Sequence, residues 1–252
     1  MDHCGPDRGL ESREDALAIG LGSGRLPTAL RGLGFTRVEA AEPAAGIVDA
    51  VRLHFSFPGA IPVLPRDGRD LLRDSLKVYD LIAMEIHNPL LSGQAHLHSR
   101  EFCSLARSRL KPGGLLQQWI PLVSLADAES AVATVRSVFP VVSLYLFGGQ
   151  ALVVAGDREQ RITSDGRRAV YEFLLWHFNR QQSRAEEYLR AILQAEVLDA
   201  SGVDRLAQSG AVVITDWNRR LEMAAPRHAL DEAEAATADA SLAGLRQYAT
   251  AR

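Results

Sequence analysis

Cysteine is nearly absent, with two in 252 residues. Cys4 and Cys103 lie far apart with no paired spacing, which excludes a disulfide scaffold and a zinc knuckle and fits a reducing compartment, so cytoplasm is the expected location. Lysine is as scarce: of 28 basic residues only Lys77 and Lys111 are lysines. The arginines are scattered, and against 31 acids the formal net charge is −3. No electropositive stripe exists for a phosphate backbone, and nucleic acid is not expected as a partner. Long apolar runs are also missing. The longest uncharged stretch, Phe139 to Gly156, is too short to span a bilayer and is interrupted by Gly148-Gly149. The first residues carry no basic, apolar leader pattern, so no membrane partner is expected. Internal repeats are absent. What remains is a chain of 47% hydrophobic and 23% charged residues, enough for one globular domain with a large core.

Between Ala16 and Val154, short apolar runs alternate with amphipathic stretches, the pattern of βαβ units and a parallel sheet. The expected strands are Ala16-Leu21, Val38-Glu42, Ile61-Leu64, Tyr79-Glu85 and Gly114-Ile120. Helices are expected from near Gly24, with Pro27 in the first turn, and over Ala44-His54, Arg69-Asp74, Ser99-Leu110 and Leu125-Val138. Lys111-Pro112-Gly113-Gly114 reads as a helix stop and turn. Val141-Phe147 and Gln150-Ala155, joined across Gly148-Gly149, read as a hairpin. The fold class is therefore α/β, a Rossmann-like class I methyltransferase-type sheet, mostly parallel with a C-terminal antiparallel hairpin. Beyond it, Arg167-Gln182, Arg184-Glu196 and Val203-Gln208 read as helices, and Ala211-Ile214 is the last apolar run. The aromatic stretch Tyr171 to Phe178 reads as a helix packed on the sheet. One domain over residues 1–227 and a polar, alanine-rich tail over 228–252 are expected, the tail as a polar helix or a frayed end.

Gly20-Leu21-Gly22-Ser23-Gly24 directly follows an apolar run and precedes a helix, the context in which glycines bring backbone N–H groups close to a ligand. A dinucleotide fingerprint needs glycine where Arg25 stands, and no G-K-[ST] follows, which excludes an NTP-binding P-loop. The G-x-S-x-G serine elbow fails at Leu21. The shorter G-x-G-x-G loop, with Gly20, Gly22, Ser23 and Gly24 as cofactor contacts, suits an S-adenosyl ligand. Glu42 closes the second strand about 20 residues later, the spacing at which a carboxylate accepts both ribose hydroxyls; Glu39 falls in mid-strand. Asp67-Gly68 follows the third run, where a carboxylate can accept the adenine amino group. Asp67 also suits a helix N-cap.

The fourth strand ends Tyr79-Asp80-Leu81-Ile82-Ala83-Met84-Glu85-Ile86-His87-Asn88-Pro89, which puts a carboxylate at the sulfonium end of such a ligand. This run, with Leu97-His98-Ser99-Arg100-Glu101-Phe102, Leu110 to Gly114, Gln118-Trp119, Val138-Phe139-Pro140, Thr215-Asp216-Trp217-Asn218, Leu221-Glu222 and Pro226-Arg227, resembles the spermidine and spermine synthases. It is closest to the bacterial spermidine synthase-like proteins, and covers most of Ala16 to Arg227 in order. The resemblance implies aminopropyl transfer from decarboxylated S-adenosylmethionine, as co-substrate, to a small amine such as putrescine, with no prosthetic group. In that family's terms Glu85 takes the place of the catalytic aspartate, Gly20-Gly24 the glycine loop, Glu42 the ribose acid and Asp67 the adenine acid. His87 and Asn88 become substrate contacts, and the homodimer usual in the family is left open.

Four features depart from the family. Ser23 stands where it has a loop aspartate, Asn88 replaces the second acid of D-x-x-D-P, and the tyrosine-bearing hairpin is cut to Leu146-Phe147-Gly148-Gly149. The loop begins at Gly20, so the family's small N-terminal β-domain is not expected within these residues. Ser23 keeps an S-adenosylmethionine-dependent methyltransferase open, since a hydroxyl tolerates the methionine carboxylate that an aspartate repels; a non-catalytic nucleoside-binding relative is a third reading. His96-x-His98 lacks a third ligand nearby, and no metal is expected. Asp216 and Glu222 read as structural residues closing the last segment over the sheet.

Overall fold

The computed structural model describes residues 10, 12–55, 57–85, 94–120, 122, 124–147, 150–160, 163–223 and 234–249. Eight strands form one sheet in the order β3-β2-β1-β4-β5-β7-β6-β8. β1 (Asp15–Ile19), β2 (Arg37–Ala41), β3 (Val63–Leu64), β4 (Tyr79–Met84) and β5 (Leu110–Ile120) pair in parallel. β6 (Val141–Phe147) and β7 (Gln150–Gly156) form the antiparallel hairpin, with β7 against β5 and β8 (Glu196–Leu198) on the outer edge of β6. The sheet class read from the sequence is the one observed; β8 has no counterpart in that reading, because three residues carry no periodic signal.

Side-chain alternation divides the sheet into two faces. Leu17 and Ile19 of β1 join one large core, with Ile82 and Met84 of β4 and Leu116 and Ile120 of β5. α3 (Gly68–Asp74), α4 (Arg100–Ser108), α5 (Leu125–Arg136) and α8 (Ala200–Gln208) pack apolar residues into that core. The opposite face carries Ala16, Ala18, Ala40 and Ala83, small residues that let α1 (Arg25–Gly32) and α2 (Ala45–His54) lie close. α6 (Ser164–His177) and α7 (Gln182–Leu193) form an αα-hairpin on this second face.

One region differs from the sequence expectation, and two that it left open take a definite form. Lys111-Pro112-Gly113 does not end a helix ahead of β5; it bulges inside β5, where Tyr79 pairs with Leu110 but Leu81 with Leu115. The bulge has a purpose in charge pairing, because it delivers Lys111 Nζ to Asp15 at 2.7 Å and Asp80 at 2.9 Å. Ala211-Ile214, the last apolar run, has no regular secondary structure. It lies across α4 and α5, where Ile214 N–H donates to Thr134 Oγ1 at 2.8 Å and Ile214 O accepts from Arg100 N–H at 2.8 Å. The alanine-rich tail forms a helix, α9 (Glu234–Arg246), with Leu242 and Leu245 buried and Tyr248 Oη donating to Glu129 at 2.9 Å. Among the described residues, no helix is long and apolar enough to cross a membrane.

Candidate active site

The parallel order reverses direction between β1 and β4, and the crevice outside their carboxyl ends is where an open α/β sheet receives a ligand. The glycine loop leaves β1 there. Gly20, Gly22 and Gly24 all take positive φ, of 88°, 51° and 78°, which explains glycine at every second position. The loop is pinned by Gly20 N–H donating to Ala41 O at 2.9 Å and Gly24 N–H to Leu21 O at 2.7 Å.

Two carboxylates grip this loop. Glu42, only 7% exposed, accepts from Leu21 N–H at 3.2 Å and from Ala44 N–H at 3.0 Å. Glu39 is directed elsewhere: it accepts from Tyr79 Oη at 2.6 Å and pairs with Lys77 at 3.0 Å. Glu85, one residue past β4, accepts from Leu26 N–H in the first turn of α1 at 3.4 Å. Its Oε1 lies 3.3 Å from where a Cβ on Gly22 would sit. Burial pushes the Glu85 carboxyl above the ordinary glutamate value, opposed by the Leu26 N–H and by the nearby Arg25 charge. A half-buried acid with an elevated pKa at a strand tip is the environment of a general base. Gly22→Ala is expected to force the Glu85 carboxylate aside and impose a strained φ. The measurable outcome is an approximately tenfold loss of turnover, with S-adenosyl nucleoside affinity reduced less.

Asp67 caps α3: its Oδ1 accepts from Arg69 N–H at 2.8 Å and Asp70 N–H at 3.2 Å, and its Oδ2 lies 3.4 Å from His96 Nε2. The His96 contact holds the Asp67 carboxyl below its ordinary value, against the opposing pull of burial and with help from the two backbone donors. One oxygen is thus committed to the helix, and the other reaches a ligand only beside His96. Gly68 does packing work, since a Cβ there would stand 2.4 Å from Ile19 Cγ2. Gly68→Ala is expected to cost about 1–3 kcal/mol and lower Tm accordingly, a shift that calorimetric melting detects. His87 and Asn88 lie outside the described residues.

The two histidines of His96-x-His98 have different partners. His98 is buried, its Nδ1 2.8 Å from Gln118 Nε2, and burial pushes its pKa down to about 3. Asp216 ties its segment to α3 and α4, with Arg69 Nη1 donating to Oδ1 at 2.8 Å and Asp216 N–H donating to Glu101 at 3.0 Å.

A cavity of about 600 Å³ opens from Glu85 and the start of α1 toward the α6–α7 hairpin. Its walls include Gln117 and Trp119 of β5, Leu152 of β7, and Phe173, Trp176 and Phe178. Here the structure corrects the reading of Tyr171 to Phe178 as a helix packed on the sheet. Only Leu174 of α6 is buried, Trp176 is 66% exposed, and the aromatic residues form a cavity wall. The signal for Gln117 and Trp119 was present as strand alternation: Gln118 points to the other face, where its Nε2 donates to Leu97 O at 2.8 Å. No comparable signal marks the α6 wall or Arg25.

The fold is that of the class I methyltransferase-type α/β proteins. It is shared with a probable spermidine synthase from Corynebacterium glutamicum ATCC 13032, with a TM-score of 0.61 and 20% identity, covering 81% of this chain and 72% of that one. It is also shared with human methyltransferase-like protein 13, solved in complex with SAH, with a TM-score of 0.54 and 20% identity over 72% of this chain and 84% of that one. In sequence, the chain is similar to a probable polyamine aminopropyl transferase of Bifidobacterium longum (strain NCC 2705), 28% identical over 136 residues, or 51% of this chain. It spans about 30% of the length of that curated relative. No family model matches the chain.

Proposed function

We propose that this chain is a transferase that holds an S-adenosyl nucleoside over the carboxyl ends of β1, β2 and β4 and moves an aminopropyl group to an amine. The observation that carries this reading is Glu85: a carboxylate with an elevated pKa, held against the glycine loop and facing a cavity large enough for an acceptor. The name of the similar Bifidobacterium protein supports the same class of reaction. In the reaction, the amine lone pair attacks the methylene carbon beside the sulfonium of decarboxylated S-adenosylmethionine. The carbon–sulfur bond breaks with its electrons going to sulfur, and methylthioadenosine leaves. Glu85 accepts the proton that the attacking nitrogen must shed. Gly20, Gly22, Ser23 and Gly24 bring the backbone to the nucleoside, Glu42 is placed for the ribose and Asp67 for the base. Methylthioadenosine release from the decarboxylated donor in the presence of an amine tests the reading; no release above the uncatalysed rate removes it.

A second reading, methyl transfer from intact S-adenosylmethionine, is favoured by one observation. Arg25 lines the same cavity mouth as Ser23 and Glu85, where a guanidinium can pair with the methionine carboxylate. Calorimetry separates the two. Aminopropyl transfer predicts that the decarboxylated donor binds at least about tenfold more tightly than the intact one, because Glu85 repels the methionine carboxylate that only the intact donor carries. The reverse order supports methyl transfer.

A further inference from the structure

We infer that the acceptor cavity takes a monoamine with a large apolar group, its single ammonium at Glu85 and its apolar body beneath the α6–α7 hairpin. The inference rests on the aminopropyl reading for the identity of the acceptor as an amine, and on three features of the cavity for its class.

The first is charge. Among the described residues lining the cavity, the only formal charges are Glu85 and Arg25, so one acid is available and one arginine already stands near it. A diamine brings two ammonium groups and needs two anionic partners; with one paired at Glu85, the second is left in an uncompensated apolar site. Ser23 adds a hydroxyl and no charge.

The second feature is the wall. Trp119 and Leu152 lie directly opposite each other in the β5–β7 pairing, and both face the cavity. Across from them stand Phe173, Phe178 and Ile192. The aromatic rings are engaged with one another, Phe178 with Tyr188 at 4.8 Å and His177 with Phe178 at 4.9 Å between centroids. The guanidinium of Arg184 already stands 5.2 Å from the centroid of Phe178. The Phe178 ring thus already has a cation beside it, and an alkyl or aryl group gains by leaving water along the wall.

The third feature is continuity. A second cavity of about 520 Å³ shares Trp119, Leu152 and Ile192 with the first. It continues between the sheet and the helical hairpin among Leu30, Phe35, Leu81, Leu115, Val154 and Val170. Its charged lining residues among those described are Arg13 and Arg167, and acids are lacking there too. An apolar tail entering past Glu85 has space to extend, and a terminal ammonium does not find a partner at the far end.

The test is calorimetric titration of the intact protein with octylamine, 2-phenylethylamine and putrescine, independent of turnover. Octylamine and 2-phenylethylamine are expected to bind at least tenfold more tightly than putrescine. Glu85→Gln should weaken all three. Trp176→Ala, at an exposed position whose truncation leaves the core intact, should weaken the apolar amines severalfold and leave putrescine unchanged. Ile192→Glu supplies a second acid and should raise putrescine affinity. Putrescine binding as tight as octylamine overturns the inference, and so does octylamine binding insensitive to both Glu85→Gln and Trp176→Ala. Octylamine binding with no methylthioadenosine formed from any amine removes aminopropyl transfer while keeping the amine site. Putrescine bound and turned over in preference keeps the transfer and removes this inference.

Discussion

Replacing Glu85 by glutamine is expected to lower methylthioadenosine release by about 10²–10⁴-fold, the usual contribution of a positioned general base. Glutamine keeps the shape and still accepts from Leu26 N–H, so the loop geometry survives and the donor nucleoside should still bind. The loss falls on kcat, because an ammonium acceptor has no lone pair until its proton is taken. The pH profile supplies the second readout. Burial raises the Glu85 pKa above the ordinary glutamate value, so the rising limb of kcat/KM against pH should lie above that value and vanish in the variant. The same shift has a sign for stability. A carboxyl whose folded pKa exceeds its unfolded one favours the fold while protonated, and that contribution is lost as pH rises through the folded value. At neutral pH the charged Glu85 is a burden on the fold, and Glu85→Gln should melt higher than the parent. A variant that is both less active and less stable would show that Glu85 is a structural residue.

The second large effect belongs to the opposite edge of the sheet. Lys111 Nζ bridges Asp15 and Asp80 at 2.7 Å and 2.9 Å, and Arg37 Nε donates to Asp15 at 2.7 Å. Both aspartates are buried. Arg37 first, then Lys111, hold Asp15 well below the carboxylate range against burial. Asp80 is also held down, where the Asp15 N–H and Lys111 outweigh the larger opposing effect of burial. Lys111→Met leaves Asp80 a buried charge without its cation, and the expected cost is about 3 kcal/mol. In a domain of this size that lowers Tm by about 6–12 °C. Groups with depressed pKa values stabilise above their ordinary unfolded values and lose that contribution as pH falls through the folded ones. The gap between parent and variant should therefore be fullest near neutral pH and shrink as the solution is acidified. A gap that grows in acid, or a variant that melts with the parent at pH 7, sinks this account.

The strands were readable because apolar runs and helical stretches alternate from Ala16 onward, and boundaries moved by only a few residues. Glu42 was distinguishable from Glu39 for a physical reason that the structure displays. The residue just past the strand reaches the loop, and the mid-strand residue is turned toward Tyr79 and Lys77. Position 85 was legible for the same reason, being the first acid beyond a buried strand. Asp67 shows the limit of such reasoning: it caps α3 with one oxygen and faces His96 with the other, and spacing cannot apportion its two oxygens. The Lys111-Pro112-Gly113 bulge was read as a turn because Pro-Gly marks both, and only the distant Asp15 and Asp80 decide between them.

The sequence by itself determined the sheet, its mostly parallel class and the acids at its carboxyl edge, because period, glycine spacing and strand ends are local properties of the chain. The tertiary structure alone decided what faces those acids. The cavity wall joins β5, β7, α6 and α7, residues brought together from Gln117 to Ile192, and no local pattern says whether an aromatic helix face meets a sheet or stands off from it. That Glu85 is the one acid among the described residues of this aromatic-walled cavity is a property of that packing.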